Sequence, residues 1–139
     1  MKIENIRVRY PSFNFHSYRS NTMAREEIAR ELHEKGCNCC QAVVMAFKDK
    51  LPIDEQAAMS MASAFGRGMS GIKETCGCVS GMAMVCGLTG NTMMFKGLAN
   101  RFREENGDTN CPRLLALQGK GHSCSDLVGC AAKLLEEVI

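Results

Sequence analysis

A chain of 139 residues, 45% of them apolar and 23% charged, can bury one hydrophobic core without disulfide staples. A formal net charge of +2, with no cluster of lysine or arginine, excludes a phosphate-tracking face for nucleic acid. No apolar run suits a signal peptide or a membrane span, so the chain is expected in the cytoplasm, where thiols stay reduced. Nine cysteines cannot all pair within one chain, and a purely structural disulfide framework is not expected.

Residues 1–20 read as a short extended arm. Ile6, Val8 and Tyr10 alternate before Pro11, and Phe13, Phe15 and Tyr18 are interspersed with Arg7, Arg9 and Arg19. Such an arm is expected to pack across the domain or against a second copy in a homodimer. The basic and aromatic mixture is too short and isolated for single-stranded nucleic acid.

Residues 21–139 read as one all-α domain, a compact bundle of about six to seven helices. The first runs from about Met23 to Glu34 and stops at Gly36. The second runs from Cys39 to about Leu51, opened by Asn38 with Gln41 three residues on, close to a capping box. Its Ala42, Val43, Ala46 and Phe47 form an apolar stripe. Asp54 caps a third helix whose inward residues are expected to be Ala57, Ala58, Met61, Ala62 and Phe65. Next comes a glycine loop with the spacing Gly66-x-Gly68-x-x-Gly71. It follows a helix rather than a strand, which rules out the dinucleotide fingerprint. Its Arg67 and Lys73 would raise the local potential near the cysteines. The fourth helix covers about Cys76–Cys86, with Gly77 and Gly81 one turn apart for close approach by a neighbour. The fifth covers about Thr92–Glu105 before Gly107, and a short sixth begins at Cys111-Pro112. The last, Cys124 to Val138, is expected to bury Leu127, Cys130, Ala131, Leu134 and Val138.

Four cysteines directly follow a residue that favours the N-cap: Asn38-Cys39, Thr75-Cys76, Asn110-Cys111 and Ser123-Cys124. A cysteine there sits at the positive end of the helix dipole, where the thiolate is favoured. Convergence of the four helix starts would create one reactive or metal-binding centre. Cys37, Cys40 and Cys78 crowd the same places, whereas Cys86 and Cys130 read as inert core thiols. The spacing forms neither a zinc ribbon nor a ferredoxin run, so any metal would be held from separate helices. His16 and His33 carry little signal, His33 reading as solvated; His122 is a candidate proton donor or ligand beside Cys124. The paired methionines read as adaptable core filling.

The segments GCNCCQAV, TCGCVSG, NCPRLL and CSDLV resemble the C_GCAxxG_C_C family, small bacterial and archaeal proteins described as redox-active. The resemblance runs from about Ile28 to the C-terminus. It implies that Cys39, Cys76, Cys111 and Cys124 are the characteristic four. Cys78 stands where the family motif has alanine, and Cys40 is a similar departure; both favour a thiol-rich or metal-loaded centre.

The first expectation is a redox protein that exchanges electrons with an unidentified partner. Cys39 and Cys76 would form its reactive disulfide, and Cys111 and Cys124 a second or resolving pair. The alternative is an iron–sulfur or zinc site on the same four cysteines, extended by Cys37, Cys40 or Cys78. A third reading is a structural helical subunit with reduced core thiols.

Overall fold

The computed structural model describes residues 23–117 and 123–139. The N-terminal arm with its expected dimer role, His16 and His122 lie outside the described residues. The rest is all-α: α1 (Arg25–Glu34), α2 (Cys39–Met45), α3 (Glu55–Ala62), the short segment α4 (Gly66–Ser70), α5 (Gly77–Leu88), α6 (Phe95–Asn106), α7 (Cys111–Leu117) and α8 (Cys124–Glu136). Seven of these are helices of seven residues or more. Among the described residues, β-type pairing is limited to an isolated antiparallel bridge between Thr75 and Asn110.

α2 is the hub. Every residue from Cys40 to Met45 is buried, so the helix is enclosed on all sides rather than amphipathic. α1, α3, α5 and α8 pack around it. The expected stripe of Ala42, Val43, Ala46 and Phe47 is buried, but α2 ends earlier than expected, with a 3-10 turn at Lys48–Lys50. Gln41 is buried without cost: its Oε1 accepts from Asn38 N–H at 3.1 Å, and its Nε2 donates to Met59 O at 3.2 Å. Close contact between α2 and α5 depends on Gly81, where an added Cβ would lie 3.0 Å from Val43 Cβ.

α1 lies along α8, burying Ile28, Ala29 and Leu32. Arg30 joins the two helices, pairing with Asp126 at 2.6 Å and with Glu26 at 3.0 Å. Arg25 pairs with Asp49, donates to Ala46 O at 2.8 Å and sits 5.1 Å from the Phe47 ring centre.

Two burial patterns differ from expectation. In α3 the buried residues are Ala58, Met59 and Ala62, while Ala57 and Met61 face solvent. The helix starts at Asp54 as expected, and Ala58 and Ala62 are buried as expected, but its buried face turns toward Met59 rather than Ala57 and Met61. In α8, Val138 lies beyond the last turn and Cys130 is only half-buried; Val128, Ala132 and Leu135 fill the core instead. Cys86, by contrast, is fully buried.

Candidate functional site

Local capping and one long-range pairing bring the helix starts together. Asn38 Oδ1 accepts from Gln41 N–H at 2.8 Å, completing the capping box of α2. Ser123 and Asp126 form the equivalent box for α8, and Asn110 Oδ1 accepts from Arg113 N–H at 3.3 Å in α7. Thr75 departs from the pattern. Cys76 itself occupies the N-cap of α5, which begins at Gly77. Thr75 instead pairs with Asn110, so that Cys76 N–H donates to Thr109 O at 2.8 Å and Cys111 N–H to Glu74 O at 2.9 Å. Two of the expected caps thus hold each other, and they fix Cys76 and Cys111 side by side.

The segment between α3 and α5 does not run as an ordinary loop. Arg67, Gly68, Met69, Ser70 and Lys73 all have positive φ, a left-handed path that costs energy at every non-glycine position. It brings the chain hard against the cysteines. A Cβ on Gly68 would lie 2.8 Å from Cys111 Cβ, and one on Gly66 would lie 2.5 Å from Asn38 Cγ. Both sites lack room for a methyl group.

A cavity of about 620 Å³ results, and Cys37, Cys39, Cys76, Cys78, Cys111 and Cys124 all line it. Leu114, Leu115 and Leu127 supply apolar wall, and His33, Arg67 and Lys73 also face it. His33 was expected in solvent; it is half-buried, and burial holds its pKa below the usual value.

The six sulfurs are not equivalent. Cys39 is pulled down to about 6, first because the Cys78 thiol donates to it. Burial opposes the shift, while backbone N–H groups of Arg67, Cys40 and Cys39 itself add to it. Cys76 is also lowered, again chiefly by the Cys78 thiol, with help from the N–H groups of Cys78 and Val79. Cys78, buried beside them, is held well above the ordinary thiol value because its one proton is shared between the two sulfurs. Cys111 moves the other way. Burial raises it, and so does the negative charge of Cys76 and Cys39. The expectation that each cap would favour its thiolate therefore fails at Cys111. Cys39 and Cys111 also head helices of only seven residues; specific donors set the value at Cys39, and burial with neighbouring charge sets it at Cys111, rather than a long helix dipole.

Cys37 and Cys40 are pushed up to about 12 by burial, so their C-x-x-C spacing forms no low-pKa pair. Cys40 points at the Met84 sulfur, 3.8 Å away. Cys130, expected to be an inert core thiol, donates to Glu105 Oε2 at 3.1 Å and accepts from Asn106 Nδ2 at 3.3 Å. Among the described residues, no group of three or more His, Cys, Asp or Glu side chains is arranged to hold a metal ion.

Sequence reasoning missed the part played by Cys78 as shared donor and by the Arg67 N–H. The one available signal was cysteine in place of the motif alanine.

Fold and site together define an all-α protein with a cluster of converging thiols. Residues 37–138 match the family model described as "Putative redox-active protein (C_GCAxxG_C_C)". The chain belongs to this family. No curated protein and no solved structure matches it. No helix among the described residues is long and apolar enough to cross a membrane.

Proposed function

We propose that this protein exchanges electrons through a reversible disulfide between Cys39 and Cys76. The observation that carries the reading is the convergence of Cys39 and Cys76 on one cavity beside Cys78, whose thiol proton favours the thiolate of each. Thiolate is the attacking species, and exchange is fastest when its pKa lies near ambient pH. Cys39 thiolate attacks one sulfur of a partner disulfide, whose S–S bond breaks and releases the other half as thiolate. Cys76 then attacks Cys39 Sγ in the mixed disulfide and releases the second half. The partner gains two electrons as two thiols, and the protein loses them as the Cys39–Cys76 bond.

Cys111 retains its proton near neutral pH, which suits a second or resolving thiol that waits for its neighbour to be oxidised; Cys124 lines the same cavity. The reduced state that starts the cycle fits a cytoplasmic setting. Peptide mapping after treatment with a mild disulfide oxidant tests the reading. The expected product is one Cys39–Cys76 cross-link, absent from Cys39→Ala. Fully reduced thiols together with a Cys39 titration near 8.5 would overturn it.

A further inference from the structure

The cavity carries a charge pattern that thiol chemistry alone does not require. Among its described lining residues, Arg67 and Lys73 are the permanent cations, and there is no carboxylate. Both side chains are exposed, and among the described residues neither has an ion-pair partner. Both occupy left-handed backbone, with φ of 56° at Arg67 and 67° at Lys73. Strain of this kind persists where the surrounding structure over-determines it, and it concentrates at ligand-binding segments. Here it delivers one guanidinium and one ammonium group to the mouth of a sulfur-lined cavity. Leu114, Leu115 and Leu127 add apolar lining.

Size and depth narrow the ligand further. The volume falls in the range of small-molecule pockets. Cys39, the attacking sulfur, is half-buried and lines this cavity, so the substrate sulfur has to enter the cavity mouth to meet it, as a small disulfide readily can.

We propose that the substrate is a small disulfide bearing carboxylates, which Arg67 and Lys73 hold while one of its sulfurs meets Cys39. The inference rests on the thiol–disulfide reading above and names the substrate class for the same site. In the reaction, Cys39 thiolate displaces one half as a carboxylate-bearing thiolate. Cys76 displaces the other from Cys39, so two substrate sulfurs are reduced and two protein sulfurs oxidised.

Thiolate charge at Cys39 and Cys76 repels an anionic disulfide, so any preference for one has to come from the cations. Three probes of similar length separate the cases: 3,3′-dithiodipropionate (anionic), 2-hydroxyethyl disulfide (neutral) and cystamine (cationic). Each rate on the full-length reduced protein is divided by the rate of the same probe with 2-mercaptoethanol. The anionic probe is expected to exceed the neutral one on the order of tenfold, and the advantage to shrink with added salt. Arg67→Asn and Lys73→Asn, singly and together, remove charge with a residue that tolerates left-handed backbone. The double variant is expected to bring the anionic-to-neutral ratio to about one or below. A wild-type ratio at or below one, or a ratio that both variants leave unchanged, overturns the substrate class and leaves the disulfide chemistry standing. Failure of all three probes to react overturns the chemistry itself, and the substrate class falls with it.

Discussion

Cys39 Sγ occupies the space where a side chain on Gly77 would begin. An added Cβ would overlap that sulfur and lie 2.8 Å from Phe65 O. The sulfur rests on bare backbone at the start of α5, which is how it comes within reach of Cys78. Gly77→Ala must therefore displace either the sulfur or the first turn of α5. A loss of about 1–3 kcal/mol is expected from overpacking, read as a lower urea midpoint. The Cys39 titration should move toward the ordinary thiol value. Wild-type stability and an unchanged titration would show that the contact yields freely.

The low pKa of Cys39 also fixes a sign for stability against pH. Folded, the group titrates at about 6; an unfolded thiol titrates at about 8.5. Between these values the unfolded chain binds more protons, so stability rises with pH across that window. The contribution is complete above the unfolded value and is lost as pH falls through the folded one. Urea midpoints measured from about pH 6 to about pH 8.5 should climb more steeply for wild type than for Cys39→Ala. At higher pH the sign reverses, because Cys37 and Cys40 are held up to about 12 and resist ionisation in the folded state. Parallel curves for the two proteins below pH 8.5 would contradict the assignment.

Replacing the shared donor separates its effect from that of the backbone. Cys78→Ala installs the motif's own residue and removes the S–H that reaches Cys39 and Cys76. The rate of iodoacetamide labelling at Cys39 is then expected to have its pH midpoint about one unit or more higher, as loss of a hydrogen bond to the charged form implies. A midpoint still near 6 would mean that the N–H groups of Arg67 and Cys40 suffice.

The helix starts were legible because capping is local: Asn38 and Gln41, or Ser123 and Asp126, satisfy each other within one turn. The glycines were legible only in part. Gly77 and Gly81 announced close approach, but not that Cys39 sulfur would be the neighbour at one and Val43 at the other. Thr75 was misassigned because its partner, Asn110, lies far along the chain and no sequence-local rule links them. Cys78 was visible as an anomaly, yet its role depends on the rotation of α5 against α2. The exposure of Cys130 turns on where α6 ends and what Glu105 and Asn106 present to it.

Cap removal tests the scaffold. Asn38→Ala deletes the acceptor for Gln41 N–H and also the Nδ2 donor to Ser63 O at 3.0 Å. Ser123→Ala deletes only a cap. A cost of about 1 kcal/mol is expected for Ser123→Ala and nearer 2 for Asn38→Ala. Equal urea midpoints for the two variants would argue that the Ser63 contact contributes nothing.

The register of α3 has an equally simple check. Met59 is 3% exposed and Met61 39%. Met59→Ala should cost about 2–5 kcal/mol, and Met61→Ala within about 0.5 kcal/mol. The reverse ranking in denaturant melts would restore the expected inward face.

The bridge between Thr75 and Asn110 carries a consequence for the chain as it is made. Domains form from the N-terminus during synthesis, and α7 and α8 are the last elements to emerge. Until they arrive, nothing presents Cys111, Leu114 or Leu127 to the sulfurs of Cys39 and Cys76. The half-built site lacks α7 and α8 on that flank, so Cys39 and Cys76 stand more open in the newborn chain than in the finished one.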